Sequence, residues 1–436
     1  MRHPRLFVSA LLILMLLAMP FPAEAQEAPI TADELETFLN GFFAEQMDKL
    51  RIPGIVVIFV QDGDVLLSKG YGFADVEARV PMDPEETIVR IGSVSKLFVA
   101  TAVMQLVEQG RLDLHADVNE YLTTFRIDDN TPQPVTLAHL LTHTGGFDYP
   151  LYSTTTDPDE VPPLGSYLAE HMPPRVIPTG EIMAYSNHGY ALAAYIVEEV
   201  CGQPFHQYVA QHILRPLAMD RSGYLLSSPL PDGLATGYVT EQGEYLRQPV
   251  DYDADYPGGS MATTAADMAR FMLAHLGGGC HGEVCILQPA TVTQMRQQQV
   301  TNHPQLPGWT YGFSEGFQNG QRLIGRSGAI LGFGGILQLL PEHNLGYFVS
   351  FNHECIGSEA GQIIGALRQQ FFDLTGDYRD VWYPHSTVHK ISVLGRDVAV
   401  SAGEQGIVVD GREYKFPGWG APAPCDHPQM LEILCF

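Results

Sequence analysis

The stretch Gly92-Ser93-Val94-Ser95-Lys96-Leu97-Phe98-Val99-Ala100 decides how this chain is read. Five lysines occur in 436 residues, and one of them, Lys96, stands inside the apolar run Val94 to Val107. An ammonium in such a run is costly to bury without a partner or a task. Ser93 precedes it by three positions, so on a helix the two side chains share a face. At this composition chance supplies about 0.2 Ser-x-x-Lys matches; the chain has one. The run is apolar on nearly all sides, which predicts a buried helix stopped at Gly110. A serine in its first turn meets the positive end of the helix dipole, which favours negative charge developing on its oxygen. A hydroxyl and an amine so placed are the parts of an acylating nucleophile and its base.

On either side of that helix the pattern changes. Ile55 to Val60 and Val65 to Tyr71 are β-rich runs joined at Asp62-Gly63, a hairpin signal. From about Leu114 to Tyr252 the chain is Pro-rich with short helical patterns, such as Leu137 to Leu141 and Tyr190 to Val200, and lacks strong strands. Thr264-Ala265-Ala266-Asp267 opens a further helix. Gly335 to Leu340 and Leu345 to Phe351 are β-rich runs around Pro341-Glu342-His343-Asn344, and Gly357 to Phe372 has helical amphipathicity. The expected architecture is α+β: an antiparallel sheet closed by N- and C-terminal strands, flanked by helices, with a mostly helical lobe inserted at about 114–252. The cleft between the parts is the expected site. Short strands at Ile391 to Leu394, Val398 to Ser401 and Ile407 to Val409 make 376–436 a small β-rich extension.

The first 25 residues carry Arg2 and Arg5, an apolar core from Leu6 to Met19, and Ala23-Glu24-Ala25 before Gln26. That is the pattern of a signal peptide, so residues 26–375 form the main domain of an exported protein, periplasmic or secreted, without a transmembrane anchor. Six cysteines suit an oxidising compartment. Cys280 and Cys285 flank a hairpin tip, and Cys425 with Cys435 is a second local candidate. Cys201 and Cys355 either pair or stay free, and six cysteines permit fifteen pairings. The net charge of −26 argues against binding nucleic acid or anionic membrane by general electrostatics. No metal-ligand spacing appears, and no cofactor is expected.

Arg90-Ile91-Gly92-Ser93-Val94-Ser95-Lys96 resembles the first motif of class C β-lactamases and their relatives, which include D-Ala-D-Ala carboxypeptidases, D-aminopeptidases and β-lactamase-like esterases. Tyr185-Ser186-Asn187 resembles their second motif, Tyr-x-Asn. The segments His139 to Phe147, Pro216 to Met219 and Gly258 to Thr264 are similar to family signatures, and the resemblance spans roughly 32–376. The third motif departs. Where the family has Lys or His, then Thr or Ser, then Gly, this chain has Arg326-Ser327-Gly328. Arginine keeps the positive charge but does not readily release its proton. Anchoring of a substrate carboxylate by its guanidinium fork stays open, as does a plain surface role.

The resemblance implies a set of roles. Ser93 is the nucleophile, Lys96 its base, and Tyr185 the group that protonates the leaving group and then activates water. Asn187 orients Lys96 and the substrate, with a helix cap as its plainer role. Arg326, Ser327, Gly328 and Ala329 line the substrate, and the N–H groups of Ser93 and Ala329 form the oxyanion hole. His143 and Thr144 read as structural. No Glu-x-x-x-Asn segment suited to a class A deacylation base is present in the middle region, which favours the tyrosine route. The leading expectation is hydrolysis of a small-molecule or peptide-like ester or amide through an acyl-enzyme. A true β-lactamase or D,D-carboxypeptidase, and a catalytically silent binding or assembly protein on the same fold, are the competing readings. The oligomeric state is not legible.

Overall fold

The structure is a computed structural model. It describes residues 31–353 apart from 129–131, 149–153, 305 and 319, together with the backbone of strands between 389 and 415. The N-terminal 25 residues, the helix expected at 357–372, and Cys355, Cys425 and Cys435 lie outside the described residues.

Helix α1 (Ala32–Leu50) begins where Thr31 and Glu34 form a reciprocal capping box. Its Leu35, Leu39, Phe42 and Phe43 recur at helical spacing and are buried. This helix was not expected from the sequence, where the first element recognised was the strand after it. Strands β1 (Gly54–Gln61) and β2 (Asp64–Asp75) form the expected hairpin, with Asp62 and Gly63 both at positive φ. With β3 (Val80–Pro81), β4 (Ser314–Gln318), β5 (Gln321–Ile330), β6 (Phe333–Leu340) and β7 (Leu345–Phe351) they make one seven-stranded sheet, ordered β4-β5-β6-β7-β1-β2-β3. Every pairing in it is antiparallel. The N-terminal hairpin thus joins strands from the end of the domain through β1 and β7, as the sequence predicts.

Alternation along β1 shows how the layers form. Ile55, Val57 and Phe59 face the α1 side with Leu39, Phe43, Ile336 and Val349. Val56, Ile58 and Val60 face the opposite layer, a larger core that includes Met268, Phe271 and Met272 of α6 (Ala265–Leu276). Between β3 and β4 lie α2 (Lys96–Glu108), α3 (Leu137–Leu141), α4 (Leu164–His171) and α5 (Asn187–Cys201), all sharing that larger core. Helices are the longest regular elements of the region at 114–252, but much of that region is turns and irregular chain, so it is less helical than the sequence suggests. It also holds a hairpin that the sequence reading missed, Tyr238–Glu241 with Glu244–Arg247. Its signal was the turn at Gln242-Gly243, both at positive φ.

Cys280 and Cys285 are joined, as their position around a hairpin tip suggests, while Cys201 is unbridged. Near the C-terminus His389–Val393, Arg396–Ala402, Gly406–Val409 and Arg412–Lys415 pair in order as an antiparallel four-stranded sheet. No helix among the described residues is long and apolar enough to cross a membrane.

Candidate active site

Ser93 lies in a single 3-10 turn, Gly92–Ser95, and α2 begins at Lys96. The turn is pinned from two sides. Ser95 Oγ donates to Gly92 O and accepts from Met261 N–H, and Ile91 N–H donates to Met261 O. Gly92 has φ +50, and a Cβ there would lie 2.6 Å from Ala329 O. A Cβ on Gly328 would lie 2.0 Å from Ile91 O and 2.9 Å from Ser93 N. The two glycines therefore let the β5 backbone run directly against the nucleophile turn. That stretch of β5 is an exposed edge, because β4 pairs only as far as Gly325. Ser327 and Ala329 are exposed along it, and Gly328 is buried.

Lys96 is fully buried. Its ammonium donates to Ser93 Oγ at 3.0 Å and to Gly258 O at 2.7 Å. Gly258 closes the 3-10 turn Tyr256–Gly258, so the acceptor is held in fixed backbone. Tyr185 precedes α5, where Ser186 is the N-cap and accepts from Gly189 N–H. Its hydroxyl is 2.7 Å from Ser93 Oγ. The phenol, remote in sequence, thus meets the neighbouring hydroxyl and amine at one atom, Ser93 Oγ. Asn187 is buried at the first turn of α5, and the capping role falls to its neighbour Ser186.

Arg326 is 2% exposed. One arm of the fork donates to Gly312 O at 2.9 Å, and the other lies 2.9 Å from His143 Nε2. Its guanidinium carbon is 5.0 to 5.4 Å from the ring centres of Tyr185, Tyr190 and Trp309. The fork that would anchor a carboxylate at the surface is thus turned inward behind Tyr185. Lys96 Nζ lies 4.9 Å from the same Tyr185 ring. Two cations therefore lie against the phenol ring.

His143, read from the sequence as structural, touches this group directly. Its ring centre is 4.4 Å from that of Tyr185. Nδ1 accepts from Ser186 N–H at 3.1 Å while Nε2 faces Arg326. Both ring nitrogens face N–H donors, which excludes an imidazolium; the neutral ring has one lone pair, so it accepts from one of the two and only packs against the other. Burial, then Arg326 and Lys96, push its pKa well below the usual value. The clue in the sequence was its place within Leu141-Thr142-His143-Thr144-Gly145-Gly146, which by itself names no task.

Behind Lys96 lies a group of acids that the sequence reading did not single out. Asp251 pairs with Arg90, Asp253 accepts from Ser260 Oγ, and Asp255 Oδ2 lies 3.8 Å from His188 Nδ1. Burial, then Asp255 and Asp251, push the Asp253 carboxyl up to about 7. A carboxyl whose folded pKa is raised contributes stability that is fully present below its unfolded pKa and is lost as pH rises through about 7. Asp253→Asn is therefore expected to melt higher than wild type at pH 8, by about 2–3 °C or more, with a clearly smaller gain at pH 5. Equal gains at both pH values in thermal melts would show that Asp253 is not the titrating group.

An antiparallel sheet, an inserted helical region and a serine–lysine–tyrosine cluster at their junction define the active-serine fold of β-lactamases and penicillin-binding proteins. The chain belongs to the beta-lactamase family, whose profile matches residues 39–361. It is 26% identical over 327 residues to Protein flp of Staphylococcus aureus (strain MW2), covering 72% of this chain and 62% of that protein. It is 28% identical over 247 residues to the putative penicillin-binding protein PbpX of Bacillus subtilis (strain 168), covering 56% and 60%. The chain thus spans under two thirds of the length of these curated relatives. Among solved structures, the octameric penicillin-binding protein homologue from Pyrococcus abyssi superposes with TM-score 0.67 and 26% identity over 86% of this chain and 87% of that one. A class C beta lactamase from Rhodobacter sphaeroides shares the fold, with TM-score 0.62 and 22% identity over 77% and 99%.

Proposed function

We propose that this chain is an exported serine hydrolase that cleaves a neutral carboxylic ester or amide through an acyl-enzyme on Ser93. The observation that carries the reading is Ser93 Oγ standing 2.7 Å from Tyr185 OH and 3.0 Å from Lys96 Nζ. Ser93 Oγ attacks the carbonyl carbon and its proton passes to the Lys96–Tyr185 pair. The oxyanion accepts from the N–H groups of Ser93 and Ala329, on backbones that Gly92 and Gly328 bring together. Tyr185 returns a proton to the leaving group, then takes one from the water that releases the acyl group. Substrate lies along the open edge of β5 at Ser327 to Ala329, held by Asn187 on the other side.

The preference for a neutral substrate rests on Arg326. Its fork is already engaged with Gly312 and His143 and is 2% exposed, so it is poorly placed to receive a carboxylate. A net charge of −26 also disfavours the approach of anions. The Cys280–Cys285 bridge suits export. Penicillin-binding relatives favour a second reading, acylation by a β-lactam or cleavage of a D,D-peptide.

The test is incubation of the protein and of Ser93→Ala with a β-lactam probe and, separately, a short-chain nitrophenyl ester, with adducts read by mass spectrometry. Ester turnover through an adduct on the Ser93 peptide is the expected result. A long-lived lactam adduct without ester turnover selects the second reading. Turnover unchanged in Ser93→Ala removes the mechanism, and the absence of any adduct points to a binding protein on this fold.

A further inference from the structure

His143 contacts Tyr185, both of its chain neighbours, Tyr190, Trp309 and Arg326, yet neither the sequence motifs nor the proposed chemistry gives it a task. It is 1% exposed and adopts φ +57, a left-handed conformation that few residue types besides glycine, asparagine, aspartate and histidine adopt. That conformation has a local consequence. The two residues flanking Tyr185 both donate their backbone N–H to His143: Ala184 to its carbonyl at 2.8 Å, and Ser186 to Nδ1 at 3.1 Å. The imidazole also packs on the Tyr185 ring at 4.4 Å, with an interplanar angle of 30°. Its far nitrogen meets Arg326 at 2.9 Å, and Trp309 closes over it edge-on at 5.0 Å. One residue thus meets the backbone before the phenol through its own carbonyl, and the backbone after the phenol, the phenol's face and the cation behind it through its side chain.

We propose that His143 is a positioning residue that sets the orientation of Tyr185 toward Ser93 and holds the Arg326 guanidinium against the phenol. An imidazole suits the task for a physical reason. It is flat enough to stack, and when neutral it offers a lone pair to an N–H donor instead of adding a third charge beside Lys96 and Arg326. The inference rests on the hydrolase reading above for its kinetic consequence but not for its geometry. The titratable groups around the phenol are Lys96 from α2, Arg326 from β5, Tyr190 from α5 and His143 itself, with Asp255 acting on Lys96.

The test uses His143→Asn, because asparagine tolerates the left-handed backbone and places an acceptor near Ser186 N–H while withdrawing the contact to Arg326. The expected result is an unchanged melting temperature, an unchanged KM and a kcat lowered about 10²-fold, the scale of a misplaced catalytic group. The acid limb of the pH profile moves to higher pH, since a phenolate with a less well-held cation forms less readily. In an Arg326→Gln background the same substitution has little further effect, because its partner is gone. A purely structural histidine would lower stability and leave the pH limb in place. Phenolate absorbance titrated in the wild type, in His143→Asn and in Tyr185→Phe follows the same group without any substrate, so a failure of the hydrolase reading and a failure of this one are separable. A wild-type kcat and pH limb in His143→Asn, equal effects in both backgrounds, or no upward shift of the Tyr185 phenolate overturns the proposal. If the asparagine variant does not fold, His143→Gln, which puts an acceptor at the Nε2 end instead, is judged on whether it restores the Arg326 contact and a near-wild-type pH limb; a displaced limb in that folded variant counts against the proposal.

Discussion

Lys96→Met is expected to eliminate turnover and leave the protein folded. Methionine reproduces the unbranched stem of lysine inside a helix buried from Lys96 to Leu106, so the packing survives. What goes is the ammonium, and with it the contacts to Ser93 Oγ at 3.0 Å and Gly258 O at 2.7 Å. Loss of a positioned group that shares in the proton transfer costs about 10²–10⁴ in rate. The upper end is expected here because the same group also orients the nucleophile. Stability moves by opposing amounts. Gly258 O loses its donor, which costs about 1–3 kcal/mol, while removal of a charge from a fully buried position offsets that loss. The melting temperature should therefore shift by only about 5 °C or less. Burst kinetics with a nitrophenyl ester and a thermal melt decide the matter. A variant that keeps a tenth or more of wild-type kcat/KM would make Lys96 a packing residue and nothing else.

Gly328→Ala is expected to be nearly as damaging through geometry alone. The added Cβ would sit 2.0 Å from Ile91 O, 2.9 Å from Ser93 N and 3.0 Å from Val94 N. All three are backbone atoms of the nucleophile turn, so no flexible side chain can yield. Strand β5 must retreat, and Ala329 N–H moves away from the carbonyl oxygen it would bind. Losing one oxyanion donor costs about 10²–10³ in kcat, and the overpacking adds about 1–3 kcal/mol of destabilisation. Gly316→Ala on the neighbouring strand is the control, since a Cβ there meets nothing closer than Leu323 at 3.7 Å. Gly328→Ala with wild-type kcat and only a lower melting temperature would show that the strand does not shape the oxyanion site.

The legible parts of the site share one property, which is that they are local. Ser93 and Lys96 are one helical turn apart, and Tyr185-Ser186-Asn187 is a contiguous triplet, so short motifs carried them. The closed sheet was also legible, because alternating apolar runs at both ends of the domain had to find partners. Helix α1 was overlooked although Thr31 and Glu34 formed a capping box and Leu35, Leu39 and Phe42 gave its buried face. Its amphipathic pattern is broken by Phe38 and Gly41, and the stronger strand signal followed immediately. The hairpin at Tyr238–Arg247 was hidden by its short, polar strands.

Arg326 and His143 show the limit more sharply. An arginine before Ser-Gly reads as a surface cation or a carboxylate anchor, because a long charged side chain is usually found in water. The fold turns it inward, where Gly312 O, His143 and three aromatic rings surround it. Those partners come from three separate stretches of chain, and no spacing rule links them.

The amino-acid sequence by itself determined the layered α+β scaffold and the buried helix start that carries Ser93 and Lys96, while Tyr185 was singled out only by the resemblance of Tyr185-Ser186-Asn187 to a family motif. The scaffold and the helix start follow from periodicity or from contiguous residues whose physics is short-range. Only the tertiary structure decided which way Arg326 faces, what His143 touches, and how closely β5 approaches the nucleophile turn. Those outcomes depend on where remote backbones meet, and packing resolves them to fractions of an ångström after the chain has closed on itself.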